Sequence, residues 1–377
     1  MYLCKDIVFL IMNFITLWAN FTVMSTLLKD IEIIKTKNSK IHDVDFNDLK
    51  FGSVFSDHML VCDYKNGEWE APKIMPYQAL TLEPSAKIFH YGQSIFEGMK
   101  AYKDTNGKVW LFRPEQNCKR LNISAKRMAI PEVPEAYFMD GLVALLQVDE
   151  AWIPTNEGSS LYIRPFIFAS GQGFHASPAD EYKFIICTAP SGSYFSGEVK
   201  VLIEETYSRS ANGGVGFAKA GGNYAGQFYP TQLAKEKGYQ QVIWTDDHKH
   251  EFIEEAGAMN IFVRINDTLI TGPTSDRILD GITRKSIIQL AEHENIAVEV
   301  RPLKVAEVVE AAKNGTLKEM FGAGTAAVIS PISGFGYKGE DYDLPKLENS
   351  FATYLKKRIT DIQTNKAEDP FGWRFEV

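Results

Sequence analysis

Cysteine is scarce in this sequence, and the few that occur lie far apart. The 377 residues include only Cys4, Cys62, Cys118 and Cys187, and no two of them form a C-x-x-C pair. This spacing builds neither a disulfide framework nor a zinc ribbon. We therefore expect reduced, buried thiols and a cytoplasmic location.

Positive charge is also in short supply, because 40 basic residues face 48 acidic ones and the net charge is −8. An acidic chain has no general attraction for nucleic acid or anionic lipid, so we expect neither as a partner.

Repeats and low-complexity tracts are absent too. A hydrophobic content of 45% excludes a disordered protein.

Long apolar runs are confined to the N-terminus. No charged residue occurs between Asp6 and Lys29, and residues 7–18 are strongly apolar. The stretch is long enough to cross a bilayer, but Asn and Thr side chains interrupt it and no A-x-A-like cleavage site follows. We interpret residues 1–29 as an apolar extension of uncertain role. A dispensable segment, with Met24 as the natural start, is favoured over a membrane anchor or leader and over a structural helix.

The length and the alternation of apolar patterns predict an α/β (α+β) protein with two folding units, since single cores rarely grow beyond ~250–300 residues. A Gly- and Ser-rich break lies near the middle of the chain. It suggests a smaller α/β domain over 30–190, a linker over 191–206 and a larger domain over 207–377.

Helical spacing of apolar residues predicts several of the helices. One begins at Pro114, which suits the first helical position, and another spans Glu135–Val148. A third is predicted over 283–295 with Thr283 as its cap, and the last over 345–363. Dense apolar runs over 161–169 and 183–189 predict buried strands.

Two motifs that can mark ligand sites are better explained as turns. Residues 334–339 match G-x-G-x-x-G, but the helix that a dinucleotide site requires does not follow, so we expect a turn between strands. The segment 248–254 carries two histidines and two glutamates, yet H-E-x-x-E is not the zinc motif H-E-x-x-H. We therefore predict a polar turn there and no metal site.

Lys219 has an unusual setting, because glycines and alanines surround it in the segment GGVGFAKAGGNY. Small residues let backbone and ligand approach closely, which a surface lysine does not require. An amine in an apolar, glycine-lined site can act as the nucleophile that forms a Schiff base. A solvated lysine in a glycine-rich loop is the alternative that this segment alone leaves open.

Other segments match a known signature in its order along the chain. They are HYGQSIFEGMKAY (90–102), LFRP (111–114), LYIRP (161–165), KAGGNY (219–224), EAGAMNIF (255–262), LDGITR (279–284) and FGAGTA (321–326). From about residue 49 to residue 363, the chain resembles the branched-chain amino acid aminotransferases, which are class IV pyridoxal-phosphate enzymes. Any one of these motifs alone would be weak, whereas the ordered set is highly specific.

The resemblance implies a fold-type IV enzyme with pyridoxal 5′-phosphate between a smaller N-terminal and a larger C-terminal domain. In that family the lysine of K-x-G-G-N-Y forms a Schiff base with the cofactor and moves the Cα proton of the substrate; here it is Lys219. Glu255 matches the glutamate that pairs with the pyridine nitrogen. Tyr224 matches the tyrosine that hydrogen-bonds the phenolic oxygen.

The resemblance also assigns residues to the phosphate and to the ring face. Arg113 and Thr325 match phosphate ligands, and a guanidinium suits phosphate oxygens because it is a planar fork of donors. The backbone N–H groups of Ile282 and Thr283 would add the positive end of a helix. Leu279 would pack against the ring.

For the substrate, the resemblance implies an apolar pocket lined by Phe96, Tyr162 and Ala326. Tyr91 would reach into it from the partner subunit of a homodimer. Arg164 lies two residues from Tyr162, so both side chains face the same side of a strand. In the family this arginine holds the carboxylate of glutamate or 2-oxoglutarate; a satisfied polar pair on a strand is the structural alternative.

The implied reaction is transamination of L-leucine, L-isoleucine and L-valine with 2-oxoglutarate, which gives branched 2-oxo acids and L-glutamate. A D-amino acid aminotransferase and an aminodeoxychorismate lyase share the fold and are the nearest alternatives. An alternative of another class is a catalytically silent cofactor-binding protein. The presence of Lys219, Glu255 and Arg113 argues against silence.

The N-terminal interpretation is testable by truncation. Because residues 1–23 lie outside the resemblance, we expect the protein that begins at Met24 to keep full transaminase activity in the supernatant after ultracentrifugation. Loss of activity on truncation, or activity of the full-length protein only in membrane fractions, would contradict this prediction.

Overall fold

The computed structural model describes residues 31–192 and 199–377. The extension predicted over 1–29 and part of the predicted linker, residues 193–198, therefore lie outside the described residues. Within the described ranges the chain forms two ten-stranded sheets, and helices pack on each of them. The α/β (α+β) class is confirmed.

The first sheet uses the N-terminal half of the described chain and one strand from the C-terminus. Its strands are β1 (Glu32–Ile33), β2 (His58–Lys65), β3 (Glu68–Trp69), β4 (Lys73–Pro76), β5 (Ser94–Phe96), β6 (Met99–Lys103), β7 (Val109–Phe112), β8 (Ser160–Ala169), β9 (Tyr182–Ser191) and β20 (Arg374–Glu376). The order is β1-β4-β2-β9-β8-β6-β7-β20, with β3 beside β2 and β5 beside β8. The long strands β8 and β9 pair antiparallel along their whole length and form its buried centre.

The second sheet contains the remaining described strands. They are β10 (Val199–Ile203), β11 (Gln241–Thr245), β12 (Phe252–Ala256), β13 (Met259–Ile265), β14 (Thr268–Thr271), β15 (Ala297–Val300), β16 (Leu303–Lys304), β17 (Leu317–Gly324), β18 (Val328–Tyr337) and β19 (Glu340–Asp343). The order is β15-β14-β13-β17-β18-β10-β11-β12-β16, and β12 also pairs with β13. The strands β13, β17, β18, β10, β11 and β12 therefore form a closed ring, in which every strand has at least two neighbours, and β19 pairs with β18 outside the ring.

The helices cover these sheets with apolar faces. The described α-helices are α1 (Lys87–Tyr91), α2 (Pro114–Arg127), α3 (Glu135–Val148), α4 (Gly221–Ala225), α5 (Phe228–Glu236), α6 (Ile282–His293), α7 (Val305–Lys313) and α8 (Phe351–Gln363). Leu121 of α2 and Leu142 of α3 join the core of the first sheet. Leu290 of α6 and Leu355 of α8 share a core with β13 and β17. Across the described ranges, none of the helices has the length and apolar character of a membrane span.

Some predicted helix ends are wrong, and each has a local cause. Thr283 is not the cap of its helix: α6 begins at Ile282 behind Gly281, and Thr283 lies buried in the first turn. The last helix begins at Phe351 and not at residue 345, because Ser350 caps it. Pro114 occupies the first turn of α2, and α3 spans Glu135–Val148, as predicted.

The glycine motif at 334–339 is a strand followed by a turn. Gly334 and Gly336 lie in β18, and the chain reverses at Lys338 and Gly339, whose φ angles are 51° and 78°. Both residues are left-handed, as in the two-residue turns that join hairpin strands. The segment 248–254 forms a turn that leads into β12, and the described residues contain no cluster suited to a metal ion.

The sheets cross the predicted domain bounds in two places. Strand β10 lies inside the predicted linker, 191–206, but pairs with β11 and β18 of the second sheet. Strand β20, from the end of the predicted larger domain, pairs with β7 of the first sheet. The division at 190 and 207 stays a prediction.

The described cysteines are free thiols. Cys62 and Cys118 are buried and Cys187 is partly buried. Burial raises the pKa of each thiol to about 12, so all three are protonated and unreactive at neutral pH.

The start of α8 gives a test of local stability. The Ser350 hydroxyl oxygen accepts from the N–H of Thr353 at 3.1 Å and donates to Glu319 at 2.9 Å. We expect Ser350→Ala to lower the free energy of unfolding by about 1–2 kcal/mol, measured by urea denaturation. Thr353→Ala keeps the same backbone N–H and is the matched control, with an expected change within about 0.5 kcal/mol. Equal changes in both variants would contradict the cap.

Candidate active site

A cavity of about 720 Å³ lies where the two sheets meet. Strands β5 and β8 contribute one wall, and β12, β13 and the start of α6 contribute the other. All but two of the predicted site residues line it: Phe96, Tyr162, Arg164, Lys219, Tyr224, Glu255, Leu279, Ile282, Thr283, Thr325 and Ala326. The exceptions are Arg113 and Tyr91.

The amine of Lys219 is held between two aromatic rings. Its Nζ donates to the hydroxyl of Tyr224 at 2.8 Å and lies 4.8 Å from the centre of the Phe96 ring. Its backbone is fixed as well, because its N–H donates to Ser124 Oγ and its carbonyl accepts from the N–H of Phe96. The ring faces attract the ammonium. The amine therefore has one defined position in the cavity.

Glu255 lies in β12 and is almost wholly buried. One carboxylate oxygen accepts from the N–H of Leu279 at 2.8 Å, and the other lies 2.7 Å from Nε of Arg209. Burial raises the pKa of Glu255, and the charge of Arg209 opposes this shift only in part. The site thus holds a carboxyl group with increased proton affinity.

Another part of the cavity wall is suited to an anion. Helix α6 begins there, and no side chain of the described residues caps its first N–H groups at Ile282 and Thr283. Gly281 is required before them, since a Cβ at this position would lie 1.9 Å from the side-chain oxygen of Asn260. The hydroxyl of Thr325 is close by, where it donates to the carbonyl of Gly98 at 3.2 Å. Free N–H groups at a helix start attract anions.

Arg113 contacts α6 but does not line the cavity. It precedes α2 in a left-handed conformation, and its Nη1 donates to Ser286 Oγ at 2.9 Å. Ser286 donates in turn to the carbonyl of Ile282. Burial lowers the pKa of Arg113, although nearby carboxylates oppose this shift. The structure thus places Arg113 about one helical turn from the predicted phosphate amides.

Tyr162 and Arg164 face the cavity from neighbouring positions on one side of β8. Arg164 Nη2 donates to the Tyr162 hydroxyl at 3.0 Å, and the guanidinium lies 4.7 Å from the centre of the Phe96 ring. Arg164 Nε is buried without a hydrogen-bond partner among the described residues. Gly98 makes room for Tyr162, because a Cβ there would come within 2.3 Å of its hydroxyl. This wall combines apolar rings with an unsatisfied cationic donor.

The turn that carries Thr325 and Ala326 is held from β6. Lys100 Nζ donates to the carbonyl of Ala326 at 2.6 Å. Burial, aided by the nearby charge of Lys356, lowers the pKa of Lys100 to about 8. The turn ends at Val328, a β-branched residue with a φ of 61°, which is a strained conformation.

Tyr91 lies outside the cavity of its own chain. Its ring is half exposed, and its hydroxyl donates to the carbonyl of Phe174. Phe89 and Phe174 are also exposed. Access of Tyr91 to a cavity of a second subunit stays a prediction.

Several residues at the cavity were not predicted from the sequence. Phe51 lies at its mouth, where its ring meets that of Tyr162 edge-on at 4.8 Å. Glu97 and Arg120 form a buried ion pair at the cavity, in which Arg120 Nε lies 2.7 Å from Glu97 Oε1. No sequence signal marks Phe51. Arg120, however, lies three residues after Asn117 on a helix that otherwise packs on an apolar core. Two polar residues at this spacing share one face of a helix, which could have indicated a buried polar contact.

Comparison with known proteins supports membership of an aminotransferase family. The family model "Amino-transferase class IV" matches residues 94–335. "Branched-chain-amino-acid aminotransferase 2" of Bacillus subtilis is 43% identical over 352 residues, which cover 92% of this chain and 96% of that protein.

Solved structures share the fold. The branched-chain amino acid aminotransferase of Escherichia coli aligns with a TM-score of 0.68 and 25% identity, covering 84% of this chain and 98% of that one. The enzyme of Thermobaculum terrenum in its PLP form aligns with a TM-score of 0.70 and 20% identity, over 85% of this chain and 98% of that one. The chain belongs to the class IV aminotransferase family.

Proposed function

We propose that this aminotransferase transfers the amino group of L-leucine, L-isoleucine or L-valine to 2-oxoglutarate, with pyridoxal 5′-phosphate attached through Lys219. The observation that carries the proposal is the meeting of three groups in one cavity: the Lys219 amine, the Glu255 carboxyl and the uncapped start of α6. Each has the chemistry that one part of the cofactor needs.

The residues present fit the cofactor. The N–H groups of Ile282 and Thr283 and the hydroxyl of Thr325 would hold its phosphate, with Arg113 adding positive charge from behind Ser286. Leu279 would lie against the ring. When bound, pyridoxal phosphate supplies an aldehyde carbon that accepts the amino group and a ring that withdraws electrons from Cα.

Two side chains would control protons at the cofactor. Glu255 would hold the proton of the ring nitrogen, and its raised pKa makes the carboxylate a stronger acceptor for that proton. Tyr224 would bond the phenolic oxygen. Lys219 Nζ, once the substrate amine has taken its place, would move the Cα proton, since it is the cavity amine held beside Tyr224.

The substrate wall suits both kinds of amino acid. Phe96, Tyr162 and Ala326 offer apolar contacts to a branched side chain, whose burial contributes roughly 1.5–3 kcal/mol. Arg164 supplies a fixed cation for the second carboxylate of glutamate or 2-oxoglutarate. Its Nε–H has no hydrogen-bond partner among the described residues and could donate to that carboxylate.

We also propose that the enzyme acts as a homodimer in the cytoplasm. His90, Tyr91 and Phe174 form an exposed aromatic cluster, in which the His90 ring contacts the other two rings and Tyr91 bonds Phe174. Exposed aromatic clusters favour association. A second copy of the chain would cover this cluster and bring Tyr91 to the neighbouring cavity.

The central test removes the amine. We expect Lys219→Ala to lower the rate of transamination from L-leucine to 2-oxoglutarate by at least about 100-fold, since attachment and proton transfer both depend on it. The phosphate residues remain, so the variant should still bind pyridoxal phosphate. Initial rates and the bound-cofactor content measure both effects.

Lys126→Ala, an exposed lysine on α2, is the matched control and should keep the wild-type rate. A Lys219→Ala protein that keeps substantial activity would show that another lysine carries the cofactor. A wild-type protein that is active with D-leucine and inactive with L-leucine would contradict the substrate assignment.

The role of Arg164 separates the two half-reactions. In Arg164→Met we expect single-turnover rates with L-glutamate to fall by the equivalent of about 2–5 kcal/mol, because a buried carboxylate loses its partner. Rates with L-leucine should fall much less, and Arg164→Lys should restore part of the glutamate rate. Equal losses with both amino acids would mean that Arg164 only supports the fold or binds the shared α-carboxylate.

A further inference from the structure

One face of α2 carries polar side chains that are buried although the helix packs on an apolar core. Asn117, Arg120 and Ser124 are exposed by 2%, 7% and 0%. Their spacing of three and four residues places them in one row along the helix. Buried polar groups of this kind need partners, and here the partners lie in the cavity wall or directly behind it.

The side chains in the row bond several segments of the site. Asn117 donates to the Glu97 carboxylate at 2.8 Å, and the Ser124 hydroxyl accepts from the N–H of Lys219 at 2.9 Å. Arg120 lies between them and also lines the cavity.

Arg120 divides its donors between two halves of the molecule. Nε and Nη2 donate to the two oxygens of Glu97 at 2.7 Å and 2.8 Å, within the first half. Nη1 donates to the backbone carbonyl of Asp280 at 3.0 Å, within the second half. Burial alone would raise the pKa of Glu97, but the charge and hydrogen bonds of Arg120, together with Lys219 and Asn117, lower it, so the pair stays charged.

The Asp280 carbonyl belongs to the loop that leads into α6. On one side of it, Leu279 is tied to Glu255 through its N–H and to Asn260 through its carbonyl. On the other side α6 begins at Ile282. A shift of this carbonyl would move the side chain that faces the ring and the N–H groups that face the phosphate.

We propose that Arg120 is a positioning residue for the cofactor: its guanidinium, fixed by Glu97, holds the Asp280 carbonyl and with it the ring-facing and phosphate-facing parts of the loop 279–282. The inference rests on the proposed function, because it takes pyridoxal phosphate as the occupant. Arg120 makes no bond to the reacting atoms in this role.

The geometry requires arginine at this position. A guanidinium is a rigid, planar fork that bonds both oxygens of one carboxylate and a third acceptor at once. A lysine keeps the positive charge beside Glu97, so the buried carboxylate remains paired, but its single nitrogen cannot hold all three acceptors in place. Arg120→Lys therefore separates positioning from charge.

The test measures cofactor binding and stability separately. For Arg120→Lys we expect the dissociation constant of pyridoxal phosphate, from absorbance titration of the apoenzyme, to rise at least tenfold. The melting midpoint of the apoenzyme should stay near wild type, whereas the increase on cofactor binding should shrink. At saturating pyridoxal phosphate, most of kcat with L-leucine should return.

The matched control is Arg127→Lys, at the exposed last residue of the same helix, which should bind the cofactor as wild type does. A second variant, Glu97→Gln with Arg120→Met, removes both charges and leaves no unpaired ion. It too should bind pyridoxal phosphate at least tenfold more weakly, because the Asp280 carbonyl loses its donor.

Two outcomes would overturn the inference. One is a dissociation constant within twofold of wild type in both Arg120 variants. The other is an equal fall in the melting midpoints of apoenzyme and holoenzyme, which would show a purely structural role. Failure of the proposed function looks different: wild-type protein itself would give no absorbance change with pyridoxal phosphate, or the bound form would not react with L-leucine.

Discussion

The bidentate contact between Glu97 and Arg120 is the interaction on which the cavity depends. Removing two charges from water is costly, and only good geometry with further hydrogen bonds offsets that cost. Both conditions are met, because Asn117 adds a donor to Glu97 and Asp280 adds an acceptor for Arg120. Such a pair contributes little net stability. It does fix which segments lie next to one another, and here those segments surround Lys219.

Most of the correctly predicted helices follow from patterns within their own segments of the sequence. Apolar spacing placed α3 at Glu135–Val148, and the Pro114 rule placed the start of α2. The start of α8 combines a local signal with a distant one. Ser350 is a local cap, whereas Glu319, distant in sequence, accepts from the N–H groups of Phe351 and Ala352 and also anchors the helix there. The contact from another strand leaves no signal in the helix's own segment.

The same distinction separates the predicted site residues from those that were missed. Tyr162 and Arg164 were predicted to share a face because strand geometry alone requires it, and their side chains do bond each other. Arg209 gave no signal, since it meets Glu255 only when β12 has joined its sheet. Arg120 falls between these cases: its spacing along α2 was visible, but its partners were not. Motifs identify the chemistry, and tertiary contacts decide its geometry.

Under the proposed function, one cavity must accept both an apolar and an acidic side chain, and the state of Arg164 explains how it can. Its flat guanidinium lies against the Phe96 ring, so a leucine side chain there meets mainly apolar surface. Its Nε has no hydrogen-bond partner among the described residues and is a charged donor that a substrate carboxylate could bond. Leucine gains instead from burial of its own side chain. One cation thus provides affinity for the acid, while its flat face and the neighbouring rings accept the apolar substrate.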